Sequence, residues 1–287
     1  MPKPLINTLG YLGPIGTYSN QAAVQWANQN PGVVIQPCQS FFELFFMLSK
    51  QTIDAIIVPV ENSIEGAVSN IMDLFLNHAN TYIVAELLCP VSHCLLTQSK
   101  ESDIQLIMSH TQALSQCQQY LSKHWPTAQT HATIPTSKAA ELLAKNKLSD
   151  YAPEHVGVIG SEQLADHYGL HIVAKNINDV TPNITRFVVV SRHHATATGT
   201  DKTSMILFPR HNEPGTLATT LQHFAEASIN LTKVESRPAR NKLGNYVFFI
   251  DFEGHKEDPI IQTILNQIGR ENRYRSEEHT SELQSPD

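Results

Sequence analysis

Ile53-Asp54-Ala55-Ile56-Ile57-Val58-Pro59-Val60-Glu61-Asn62-Ser63-Ile64-Glu65-Gly66 is an apolar run the length of a buried strand that empties into hydrogen-bonding side chains. A near-continuous apolar strand is the mark of a sheet covered on both faces, and a polar cluster at its exit is how a ligand site begins. The design recurs where residues 104–108 run into Ser109-His110-Thr111-Gln112-Ala113-Leu114-Ser115-Gln116-Cys117. Reversed, it appears where Pro182-Asn183-Ile184-Thr185-Arg186 leads into Phe187-Val188-Val189-Val190. In open α/β sheets the carboxyl ends of strands and the helix N-termini that follow them converge on one crevice, so these distant segments are expected to meet in space.

Outward from that stretch, short β-like runs alternate with helix-like segments through the first 190 residues. Strands are expected at 8–12, 33–37, 53–60, 82–91, 104–108, 155–159 and 186–190. Ser40-Phe41-Phe42-Glu43 reads as a capping box opening an apolar helix, and further helices are expected at 137–145 and at 161–168, the latter stopped by Gly169. This alternation implies an α/β unit with a largely parallel sheet. Residues 192–202 have no apolar period and read as a linker. After it the order is strand, helix, strand, strand, helix, a ferredoxin-like βαββα unit over 203–274 that lacks its final strand. The segment 275–287 (RSEEHTSELQSPD) has Leu283 as its one aliphatic residue and resembles a translated sequencing adapter, so it is set apart as a non-native tail.

With 287 residues and 41% apolar content, the chain can bury one large or two ordinary cores. Its net charge of -7 and scattered basic residues argue against nucleic-acid binding. No apolar run reaches the roughly 18 residues of a membrane helix, and the first residues carry no signal-peptide core, so a cytoplasmic protein with no membrane partner is expected. Cys38, Cys89, Cys94 and Cys117 have no C-x-x-C spacing and sit in or beside apolar segments, which favours reduced, buried thiols over zinc or disulfides. No Walker loop, dinucleotide glycine fingerprint, zinc motif or Ser-His-Asp set is present, so neither metal nor cofactor is expected.

Four segments carry chemistry. Gly13-Pro14-Ile15-Gly16-Thr17-Tyr18-Ser19 turns from the first strand into a helix, and its amides and hydroxyls suit a carboxylate, as they would suit a plain βα turn. Asn62 and Glu65 also have the spacing of a cap, with Ser63 then facing ligand. Ser109 reads as a cap with Gln112 and Gln116 on one helical face, and the competing reading is a satisfied helix end capped by His110. Thr185 and Arg186 alternate along a strand, so at most one aims squarely into a given site unless the strand begins just there; Arg186 is a natural carboxylate partner or, alternatively, a surface arginine. From the residues alone, a small anion is held between α/β lobes.

The ordered set Gly13-Pro14-x-Gly16-Thr17-Tyr18-Ser19, Pro59-x-Glu61-Asn62-Ser63-x-x-Gly66-x-Val68, Ser109-His110-x-Gln112-Ala113-Leu114-x-Gln116-Cys117 and Asn183-x-Thr185-Arg186-Phe187 strongly resembles prephenate dehydratase over about residues 7–191. Thr136-Ser137-Lys138-Ala139-Ala140 resembles a further motif, with Ser137 where alanine is usual. Pro214-Gly215-Thr216-Leu217 and Asn230-Leu231-Thr232-Lys233-Val234-Glu235-Ser236-Arg237-Pro238 resemble the two motifs of the ACT regulatory domain, with Thr216 in place of the usual alanine.

The resemblance implies a two-lobed catalytic domain of the periplasmic-binding type II kind followed by the ACT domain, without a fused chorismate mutase. It implies decarboxylation and dehydration of prephenate to phenylpyruvate in phenylalanine biosynthesis, without a cofactor. It casts Thr185 as the residue that assists the leaving hydroxyl, with Glu61 or His110 as proton source, since a threonine hydroxyl is a very poor acid. Thr17, Asn62, Ser63, Gly66, Ser109, Gln112, Gln116, Arg186 and Phe187 are the implied substrate contacts. Gly215, Thr216, Leu217, Asn230, Leu231, Glu235 and Ser236 are the implied contacts to L-phenylalanine as allosteric inhibitor, in a homodimer or homotetramer. Arogenate in place of prephenate, or a non-catalytic binding module for a small anion or amino acid, are the alternatives.

Overall fold

The computed structural model describes residues 6–78, 80–100, 103–132, 136–148, 152–210, 213–239 and 245–280, and these build three sheets. The first lobe runs β1 (Thr8–Leu12), α1 (Tyr18–Gln29), β2 (Val34–Cys38), α2 (Phe41–Ser49), β3 (Ala55–Asn62), β4 (Gly66–Ala67), α3 (Ser69–Asn77) and β5 (Tyr82–Pro90). The chain crosses to a second lobe of β6 (Cys94–Thr97), β7 (Leu106–Ser109), α4 (Thr111–Gln116), α5 (Gln118–His124), β8 (Gln129–Ala132), α6 (Thr136–Ala144), β9 (Val156–Gly160), α7 (Glu162–Tyr168) and β10 (His171–Ala174). It returns along β11 (Ile184–Ser191), which slots between β3 and β5. Sheet order is β2-β1-β3-β11-β5 in the first lobe and β10-β6-β9-β7-β8 in the second, each with a parallel heart and antiparallel strands beside it. The two-lobed α/β architecture expected above is the one observed.

Strand β3 shows why the opening run had to be a strand buried twice over. Ile56, Val58 and Val60 pack with Leu44, Phe45 and Leu48 of α2, while Ala55 and Ile57 pack with Ala22, Ala23 and Trp26 of α1. Period-2 alternation delivers one set to each face. Helix α2 starts at Ser40, whose hydroxyl accepts from the Glu43 amide at 3.1 Å, as the capping pattern requires.

The third unit is β12 (Asp201–Phe208), α8 (Thr216–Glu226), β13 (Leu231–Pro238), β14 (Tyr246–Glu253), α9 (Pro259–Glu271) and β15 (Arg273–Thr280), with sheet order β13-β14-β12-β15. Its helices cover Met205, Leu207, Ile250 and Phe252, whereas Ile206, Phe208, Val247 and Phe249 on the other face pack against the first lobe. Two expectations are corrected here. The sheet begins at Asp201, inside the expected linker, because the Asp201 carboxylate gathers the Thr198 and Gly199 amides at 2.9 and 3.1 Å. The final strand is also present: Arg273–Thr280 pairs antiparallel with the whole of β12, from Asp201↔Thr280 to Phe208↔Arg273. Pairing draws on backbone groups alone, so a polar run serves at a sheet edge, and Tyr274 supplies an apolar anchor against the core. Residues 281–287 lie outside the described ones.

Candidate active site

Two crossover segments, 91–93 and 175–183, join the lobes and are laced together. Val91 donates to the Asn183 carbonyl at 2.8 Å, and Ile177 to the His93 carbonyl at 3.0 Å. Beside them lies a cavity of about 240 Å³, walled by Thr17, Tyr18, Asn62 and Thr185 from one side and by Gln112 and Gln116 from the other. Two hydrogen bonds latch the lobes over it: Ser161 Oγ donates to the Gly16 carbonyl at 2.8 Å, and Gln116 Nε2 to Glu65 Oε1 at 2.7 Å. Gly16 has φ +86°, and a Cβ there would stand 2.6 Å from Leu164 Cδ1, so glycine is what lets the lobes approach.

The polarity of Thr185 follows from the bonds around it. Asn62 Oδ1 accepts from the Ile64 and Glu65 amides at 2.9 and 3.1 Å, an Asx turn that fixes the amide's orientation. Its Nδ2 must then donate, and it does so to Asn183 Oδ1 at 2.8 Å and Thr185 Oγ1 at 2.9 Å. Thr185 is therefore an acceptor toward Asn62, which leaves its own proton for the cavity side. Asn183 in turn donates from Nδ2 to Gln116 Oε1 at 2.9 Å, so an unbroken amide relay connects the inter-lobe latch to Thr185.

Glu61 and Arg186 point the other way. Opposite Arg186 and Phe187, β3 carries an extra residue at Val60, a β-bulge that resets the alternation and turns Asn62 to the cavity and Glu61 to the opposite face. There Arg186 reaches three carboxylates: Glu86 at 2.8 Å, Glu61 at 3.3 Å and Asp251 of the third unit at 2.7 Å. Lys202 binds Glu86 at 2.8 Å and Lys233 lies 3.8 Å from Glu61, so three cations and three anions alternate across the contact between units. Burial pulls the Arg186 guanidinium down, but Asp251, Glu86 and Glu61 outweigh it and hold it firmly charged. Burial pushes the Lys233 ammonium below its usual range against the pull of Asp251 and Glu61. The expected roles of Arg186 as substrate ligand and Glu61 as proton source are corrected accordingly; Thr185 lines the cavity and Arg186 does not.

Other expected contacts also serve the frame. Ser109 is fully buried and donates to the Ile159 carbonyl at 3.0 Å, so it cannot reach a ligand. Ser63 accepts from the Ile184 amide at 2.9 Å and tethers the turn to β11, and Gly66, at φ +78°, closes the β3–β4 hairpin opposite Asn62. The cap spacing of Asn62 and Glu65 opens no helix here: this hairpin intervenes, and the next helix starts at Ser69. Phe187 belongs to the core beneath Thr185. Thr17 caps α1, accepting from the Asn20 amide at 3.2 Å, while His110 caps α4 through Nδ1 at 3.3 Å and lines the cavity with Gln112 and Gln116. Four residues not singled out from sequence complete the site: Tyr18, His93, Ser161 and Asn183. Tyr18 and Asn183 stood in the quoted patterns; His93 gave no signal, since it lies in a crossover without periodicity.

In the third unit, Gly215 (φ +94°), Thr216 and Leu217 line a surface hollow with Phe248, whose cross-strand partner is Ser236. Asn230 binds Glu253 at 3.0 Å, Leu231 enters the core, and Glu235 shares its face of β13 with Lys233 and Arg237. Arg237 grips both oxygens of Asp73 on α3 at 3.2 Å. All four cysteines are free and buried, with the Cys117 thiol pushed up to about 12 and Cys38 and Cys89 to about 11 chiefly by burial. Among the described residues no helix is long and apolar enough to cross a membrane.

Comparison with known proteins gives two family matches, prephenate dehydratase over residues 9–195 and the ACT domain over residues 204–270. A prephenate dehydratase from Methanocaldococcus jannaschii is 36% identical over 277 residues, covering 94% of this chain and 94% of that protein. A bifunctional chorismate mutase/prephenate dehydratase from Aquifex aeolicus is 36% identical over 267 residues, covering 93% of this chain and 71% of that protein. The crystal structure of an Arthrobacter aurescens prephenate dehydratase in complex with L-Phe superposes with a TM-score of 0.85 at 30% identity, covering 98% of this chain and 92% of that one.

Proposed function

Since the chain belongs to the prephenate dehydratase family and carries an ACT domain, we propose that the inter-lobe cavity binds prephenate and converts it to phenylpyruvate, carbon dioxide and water. The carrying observation is Thr185, anchored as an acceptor on Asn62 with its proton left for the cavity. In the reaction the bond from the ring to its carboxylate breaks, the electron pair flows through the ring, and the C4–oxygen bond breaks as the ring becomes aromatic. No external electron acceptor is needed. The protein has to hold a dianion in reactive geometry and stabilise the departing hydroxyl.

Thr185 supplies a hydrogen bond to that oxygen without giving up its proton. His110, which lines the cavity beside Gln112, is the proposed proton source for the departing hydroxyl. The N-terminus of α1, which opens on the cavity at Thr17 and Tyr18, attracts a carboxylate through its dipole. Gln112 supplies a neutral donor for the remaining oxygens.

L-Phenylalanine is the proposed inhibitor, binding where the Gly215 turn and the outer face of β13 meet a second ACT unit in a homodimer or homotetramer. Strand β13 suits such a contact because it is a sheet edge with Val234 exposed. Purified protein incubated with prephenate or with arogenate, and followed by mass spectrometry, tests the reading. Phenylpyruvate from prephenate supports it; phenylalanine from arogenate alone would reassign the substrate, and no product from either would refute it.

A further inference from the structure

Residue His93 sits where the chain leaves the first lobe, and its imidazole spans both lobes. Nε2 lies 3.1 Å from Gln116 Oε1 of α4, and Nδ1 lies 3.1 Å from the Tyr18 hydroxyl of α1. The ring is buried and stands edge-on to Tyr18, with centroids 5.8 Å apart. Its backbone is pinned as well, since its amide donates to Asn178 Oδ1 at 2.8 Å and its carbonyl accepts from Ile177 at 3.0 Å.

The bonds at Gln116 choose the tautomer. Gln116 Nε2 donates to the Glu65 carboxylate, so its Oε1 is an acceptor, already receiving Asn183 Nδ2. The ring nitrogen facing Oε1 must therefore carry a hydrogen. In the neutral imidazole Nδ1 then carries the lone pair and faces the Tyr18 hydroxyl, which donates to the Ser92 carbonyl at 2.8 Å. The opposite tautomer would set two lone pairs against each other at Gln116 and turn its amide away from both Glu65 and Asn183.

We propose that His93 is a positioning residue for the dehydration step: its Nε2–H locks the Gln116–Asn183–Asn62 relay in the one orientation that points the Thr185 proton into the cavity. Burial draws the imidazole below its usual range, in keeping with the neutral ring. The role couples lobe closure to chemistry, because the same Gln116 amide latches onto Glu65 and steadies Asn183. It rests on the dehydratase reading above.

The test compares His93→Gln, whose amide nitrogen can reproduce the donor to Gln116, with His93→Leu, which cannot. His93→Leu is expected to lower kcat for prephenate about tenfold, equivalent to about 1.4 kcal/mol, with KM changed much less. His93→Gln is expected to retain most of kcat, and His93→Leu combined with Asn183→Leu to lose less than the product of the single losses. A purely structural role would lower the Tm of both variants and leave no such rescue. Nitrogen-15 NMR of the histidine side chains in the wild type is expected to show His93 as the neutral Nε2–H tautomer. Wild-type kcat in a folded His93→Leu variant, no rescue by glutamine, or the Nδ1–H tautomer would each overturn the proposal. A wild type inert toward prephenate would sink the dehydratase reading instead, and the NMR result would still decide the geometry.

Discussion

One guanidinium at Arg186 holds three carboxylates at once, through Nε to Glu86, Nη1 to Glu61 and Nη2 to Asp251. Lysine cannot reproduce that fork, and a neutral side chain would strand buried carboxylates. Arg186→Met is therefore expected to cost about 3 to 5 kcal/mol of stability by denaturant titration, while Arg186→Lys leaves KM for prephenate near the wild-type value. A large rise in KM for the lysine variant would return Arg186 to the cavity. A second prediction concerns acid. The His93 pKa is lowered in the folded state, so as pH falls through about 6.5 the unfolded chain takes up a proton that the folded one refuses, and stability drops. His93→Gln removes this group, so its Tm should fall less between pH 8 and pH 5 than the wild type's; equal slopes would contradict the shift. Residue identities in the site were partly legible from the chain. Strand alternation sets Thr185 on the cavity side and Arg186 on the other, although the family resemblance had put both against substrate. Glu61 was misread because a bulge at Val60 is invisible to period-2 reading, and Ser109 because a buried hydroxyl can spend itself on a neighbouring strand's carbonyl.

Among the elements, β13 reads as a strand with two duties. Lys233 and Arg237 face the catalytic unit and hold Glu61 and Asp73, while Val234 and Ser236 face outward toward the proposed effector site. Through Lys233, β13 is paired with Glu61, which precedes the Asn62 that orients Thr185. Lys233→Met is accordingly expected to leave phenylalanine affinity measurable by calorimetry but to weaken the inhibition it causes, since coupling and binding are separable free energies. Unaltered inhibition would exclude this contact from the coupling. Strand β15 gives another prediction: removing residues 273–287 bares the edge of β12, so amides of Asp201–Phe208 should lose hydrogen-exchange protection. Protection that survives truncation would mean β15 is dispensable. Core strands such as β3 and β9 were legible because continuous burial writes a continuous apolar run. Strands β8, β10 and β15 were not, since edge strands are held by backbone pairing and Gln129–Ala132 has no apolar rhythm to read.

At the level of the whole molecule, two lobes laced by paired crossovers and latched by Ser161 and Gln116 enclose the cavity, and the ACT sheet braces the lobe that bears Thr185. Gly16→Ala tests the closure: with φ +86° and Leu164 in the way, it should lower kcat/KM while leaving the ACT unit folded. The two-unit organisation was visible in the change of pattern after residue 191, whereas the contact between units was not, because its charges are contributed one at a time by distant strands. The measurement closest to the central claim is the turnover of prephenate by wild type and Thr185→Val side by side, with thermal unfolding of both. The structure predicts phenylpyruvate from the wild type, a kcat lower by roughly 10²-fold or more in the valine variant, and nearly equal Tm values. A folded valine variant that turns prephenate over at the wild-type rate would contradict it.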